Sequence, residues 1–98
     1  MFKINGIKWR VLLVSPFHPK LGKSIGSCNA NTRTIYINNE LSRSRFKKVL
    51  CHEITHAAMF SYKVKLTYEQ EELFAEIIAN YGEEIINITN KIKGNYVL

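Results

Sequence analysis

CHEITHAAM, residues 51–59, sets two of the chain's three histidines four positions apart, with a glutamate beside the first. How this stretch is read decides the fold, because on a helix positions i and i+4 lie one turn apart on the same face. Two imidazoles so placed can both reach one tetrahedral zinc ion at about 2.0–2.1 Å. Glu53 then projects beside that face, where a carboxylate can hold and deprotonate a water at the metal; this is the physical content of a His-Glu-x-x-His pattern. Three histidines and eight glutamates in 98 residues would produce the pattern by chance about 1% of the time. The structural alternative is a pair of imidazoles satisfied by hydrogen bonds in a helix seam. It suits a lone histidine better than two at ligand spacing with a base between them.

Working outward, the apolar positions Phe46, Val49, Leu50, Ile54, Ala57, Ala58 and Phe60 keep helical spacing around the motif. Ser42 or Ser44 can cap that helix, which should end near residues 62–64. Thr67 opens TYEQ, a Thr-x-x-Gln capping box. It starts a second helix whose apolar positions run from Leu73 to Ile88, with Gly82 as a weak point. Upstream, FKINGIKWRVLLV alternates and carries Asn5-Gly6, a dipeptide favoured in two-residue hairpin turns. Ile7, Trp9, Val11 and Leu13 should then share one strand face. Residues 15–31, rich in Pro, Gly, Ser and Asn, read as loop with a short strand inside, and TRTIYINN at 32–39 reads as a strand. The expected class is α+β: a small N-terminal antiparallel or mixed sheet, then two packed helices, all in one domain over residues 1–98.

The composition narrows the function classes. An apolar content of 46% with 22% charged residues belongs to a folded globular chain. Its longest notable apolar run, VLLV at 11–14, cannot span a membrane. No signal-like start is present, and Cys28 and Cys51 do not form a disulfide framework, so a cytoplasmic location is expected. The net charge of +6 is dispersed, with one cluster at 42–48, SRSRFKK. Such dispersed charge is mainly a statement about solubility and makes nucleic acid an unlikely main partner. The chain has no aspartate, which rules out Ser-His-Asp chemistry and aspartate-based phosphoryl transfer.

A catalytic zinc usually has three protein ligands. His18 is remote in sequence. Tyr62 and Met59 stand where a metzincin would need its third histidine and its glycine. The second helix offers Glu69, Glu71, Glu72 and Glu76 instead. Glu69 and Glu71 sit in or beside its first turn, where carboxylates suit the helix dipole without further purpose. Glu72, Glu76 and Asn80 form an i, i+4, i+8 row beside the apolar stripe. Either Glu72 binds metal, or the site lies one turn on, with Glu76 as ligand and Asn80 as its support.

HEITH followed by ELFAEIIA resembles the gluzincins, and most closely the small ImmA/IrrE-type metallopeptidases often carried by phages and mobile elements. Their Glu-x-x-Ala-Asn/Asp-x-x-Ala pattern is matched by residues 72–79, with Glu76 replacing the shorter Asn or Asp. The resemblance covers residues 32–90. It implies a minimal zincin with Zn2+ on His52, His56 and Glu72, support from Glu76, and a peptide or regulatory protein as substrate. In zincins the strand before the motif helix is an edge to which substrate adds, which would assign Ile35, Tyr36 and Ile37 to substrate binding. The chemistry expected is peptide-bond hydrolysis with Glu53 as general base. A second reading, motivated by small size, is a zincin-like scaffold that binds a protein or nucleic acid without turnover.

Overall fold

The computed structural model describes residues 1–95. Four strands, β1 (Phe2–Ile4), β2 (Ile7–Val14), β3 (Gly26–Asn29) and β4 (Thr34–Asn38), precede two helices, α1 (Arg43–Ser61) and α2 (Tyr68–Lys93). The architecture is α+β, with a mixed sheet ordered β1-β2-β4-β3. β1 and β2 pair antiparallel, β2 and β4 parallel, and β3 and β4 antiparallel.

Local chemistry accounts for the element boundaries. Asn5 and Gly6 both take positive φ, 50° and 76°, the two left-handed positions of a type I′ turn that matches strand twist. Ser42 caps α1, its side chain accepting from the Arg45 N–H. Lys63 in the left-handed region (φ 55°) ends the helix and turns the chain. Thr67 and Gln70 exchange both bonds of a capping box, at 3.0 and 3.2 Å, and α2 begins there. Glu69 and Glu71 in its first turn and Lys91 and Lys93 in its last complement the dipole.

The core lies between the sheet and α1: Trp9, Ile35, Ile37, Val49 and Ala57, flanked by Phe2, Ile4, Val11, Leu50 and Ile54. Trp9 is 1% exposed, and its indole N–H donates to the Ser61 hydroxyl at 2.9 Å. The hairpin is tied to the same helix end by Asn5, whose side-chain amide donates to the Ser61 carbonyl. Along β2, Leu13, expected on the same covered face as Ile7, Trp9 and Val11, is exposed.

One expectation is corrected. β4 is hydrogen-bonded to β2 on one side and β3 on the other, so no backbone groups remain for an added peptide. Ile35 and Ile37 are wholly buried in the core, and Tyr36 stacks on His18 from the other face, ring centroids 5.4 Å apart. None of the three is placed as a substrate-binding edge. The edge on that side of the sheet is β3. Sequence order misled here because β3 pairs outside β4, so the strand next to α1 in sequence is interior in space. No helix among the described residues is long and apolar enough to cross a membrane.

Candidate metal centre

α1 and α2 run antiparallel, as the pairings between them show: Lys47 meets Glu83, Cys51 meets the Ile78 carbonyl, His52 meets Glu76 and His56 meets Glu71. This register carries the motif face of α1 across to the glutamates of α2. His52, His56 and Glu72 each offer a donor atom within 4.8 Å of the other two.

The rings are held from behind. His56 Nδ1 lies 2.8 Å from Glu71 Oε2, and His52 Nδ1 lies 3.2 Å from Glu76 Oε1. A carboxylate only accepts, so with a metal bound each ring would carry its proton on Nδ1, facing these acceptors, and turn the Nε2 lone pair inward. Those two Nε2 atoms are 3.2 Å apart, and Glu72 Oε2 is 3.3 Å from that of His52. Two imidazole nitrogens and a carboxylate oxygen this close together make a donor set that a cation can fill. Donors at about 2.0–2.1 Å from a tetrahedral ion stand about 3.3–3.4 Å from each other, and both separations agree. The remaining edge, His56 Nε2 to Glu72 Oε1, is 2.7 Å, hydrogen-bond length, and a bound ion would replace that contact by opening the edge about 0.6 Å. The residues present therefore fit a divalent metal bound by two nitrogens and one oxygen.

Asn80 supports the arrangement one step further out. Its amide donates to Glu76 Oε2 at 3.0 Å and to the Glu76 carbonyl at 2.9 Å, fixing the carboxylate that faces His52. Glu71 is the residue sequence reasoning missed. Its place in the first turn gave a sufficient reason for a carboxylate, yet the antiparallel register turns it toward His56. The available signal was the adjacent pair Glu71-Glu72, which points 100° apart on a helix and so can address both sides of one ring.

Glu53 lies beneath β3, 8% exposed. Burial pushes its carboxyl above the ordinary range; the His52 and His56 rings pull it back, and Glu72 raises it again. β3 comes this close only because residue 26 is glycine. A Cβ there would stand 2.6 Å from Val49 Cγ1 and 3.2 Å from Glu53 Cγ and Oε2. Valine is stiff and cannot swing aside. Gly26→Ala should therefore cost about 1–3 kcal/mol in denaturant unfolding, and should reduce activity beyond that loss by displacing Glu53 or β3.

The site opens onto a cleft of about 960 Å³ between β3, α1 and α2. Gly26 and Cys28 form part of its β3 wall, and Arg45 and Lys48 bring positive charge to it. Cys28 and Cys51 are both free thiols. Burial, then Glu53 and Glu71, push the Cys28 thiol up to about 12, so it faces the cleft protonated. Tyr68, whose hydroxyl has a proton to offer an oxyanion, lines the cleft, while His18 packs on Tyr36 outside it.

No curated protein matches the chain. A family model described as the IrrE N-terminal-like domain, a peptidase family, matches residues 11–86. That span runs from the second half of β2 through most of α2, including His52, His56 and every glutamate around them. The chain belongs to the IrrE N-terminal-like metallopeptidase family.

Proposed function

We propose that the chain is a zinc-dependent peptidase, a single minimal domain that hydrolyses a peptide bond in the cleft beside Glu53. The observation that carries this reading is the convergence of the His52, His56 and Glu72 donor atoms within 4.8 Å, next to a buried carboxylate. A zinc ion bound there would supply Lewis-acid activation of water and of the peptide carbonyl. The chain's own residues do the rest. Glu71 and Glu76 hold the rings in one tautomer. Glu53 takes a proton from the attacking water and delivers it to the departing amine. Its burial favours this role, because a carboxyl raised above its usual range binds and returns a proton more readily.

The substrate is a peptide or protein segment in extended form, added along the outer edge of β3. By resemblance, a regulatory protein is the substrate class. The two free thiols suit a reducing cytoplasm. Cleavage of an unstructured polypeptide, lost on chelation and restored by one equivalent of zinc, tests the reading. Full activity in excess chelator would refute it.

The three α2 glutamates that meet the histidines are separable by metal affinity. Glu72→Ala should weaken zinc most. Glu71→Ala and Glu76→Ala should each cost roughly 10–100-fold, the scale for losing a group that orients a ligand. If Glu76→Ala proved the most damaging, the ligand would be one turn further along α2.

A further inference from the structure

α2 presents its site residues to α1 and leaves the opposite side bare. Ala75 is its only fully buried residue. Phe74, Ile77, Tyr81, Ile85, Ile88 and Ile92 remain between 43% and 58% exposed. At 100° per residue these six fall in one stripe about 80° wide, turned away from Glu72 and Glu76. α2 is also seven residues longer than α1, so the stripe continues about 10 Å beyond the helix it packs on.

The spacing of the stripe says what covers it. From Phe74 to Ile88 the steps are three, four, four and three, the same read in either direction, with Tyr81 at the centre. A patch that meets its own copy across a two-fold axis must be complementary to itself with the chain reversed. An axis through Tyr81 sets Phe74 against Ile88 and Ile77 against Ile85 of the second copy, in the manner of an antiparallel coiled-coil seam.

Charge selects the same orientation. The acidic first turn, with Glu69, comes alongside the second copy's basic last turn, with Lys91 and Lys93. A parallel pairing would set like charges and like dipole ends together. The area suffices as well. Half-exposure of six side chains of about 150–250 Å² each amounts to roughly 600 Å² per copy, and flanking residues bring it toward the about 800 Å² of a standard interface.

We propose that α2 is a homodimerisation helix, joining two copies antiparallel about a two-fold axis at Tyr81 and leaving both metal clefts open on the far side. The full chain should sediment as a dimer at micromolar concentration. Ile85→Glu puts an unpaired carboxylate against Ile77 on each side of the axis and should weaken association on the order of 100-fold. Helix content by circular dichroism and zinc content should not change, since Ile85 touches neither core nor site. In a Cys28→Ser, Cys51→Ala background, Tyr81→Cys should cross-link to its own copy with oxidised glutathione. Ile88→Cys should not, unless mixed with a Phe74→Cys chain. A monomer up to high micromolar concentration, a dimer unaffected by Ile85→Glu, or equal self-cross-linking at Ile88→Cys would each overturn the proposal.

Discussion

The His52→Ala, His56→Ala double variant should bind no zinc where the parent chain binds about one ion, measured by elemental analysis after dialysis. The loss should far exceed the roughly 10–100-fold expected from removing Glu71 or Glu76, which only orient the rings. Both Nε2 lone pairs disappear, and a single carboxylate with water does not hold zinc against competing ligands. Thermal unfolding offers a second readout. A metal that binds only the folded state at 1,000 times its Kd stabilises by about 4 kcal/mol, so zinc should raise the parent's melting temperature and leave the variant's unchanged. His18→Ala is the matched control: His18 stacks on Tyr36 away from the centre and should keep full metal. Stoichiometric zinc in the double variant would remove the proposed site.

The second large effect is Glu53→Gln. The amide matches the carboxylate in size, so the packing beneath Gly26 and the zinc content should survive. It cannot take a proton. Hydrolysis should fall by about 10²–10⁴, equivalent to about 3–5 kcal/mol of barrier. The pH profile adds a signature that a packing defect would not give. A base acts only when deprotonated, so the parent's activity should decline as pH falls through the carboxyl's pKa, which burial raises. The residual activity of Glu53→Gln should lack that limb. Unchanged turnover with zinc in place would mean that Glu53 is not the base, whereas zinc binding without turnover in the parent chain itself is what the scaffold reading expects.

Much of this was written in local chemistry. Asn5-Gly6, Ser42 and Thr67-Gln70 each satisfy a backbone need within four residues, so their turns and caps could be read one segment at a time. The His52–His56 pair is legible for the same reason, since ligand spacing along a helix is itself a local property. The partners of those histidines are not local. Whether Glu71 or Glu76 faces a ring depends on the register of α2 on α1, which is set by packing more than ten residues away in sequence. The place of β4 inside the sheet is likewise non-local. It follows from β3 pairing outside it, and a four-residue strand of Gly, Ser, Cys and Asn carries little β propensity to announce itself. Gly26 hides in that strand too, and its purpose is visible only once Val49 and Glu53 lie against it.

The most direct test of the account is a crystal structure of the zinc-loaded chain with anomalous data at the metal edge. One ion is expected at about 2.0–2.2 Å from His52 Nε2, His56 Nε2 and a carboxylate oxygen of Glu72, with Glu71 and Glu76 on the two Nδ1 atoms. An ion bonded to Glu76 instead, or anomalous density anywhere other than between these two helices, would contradict it.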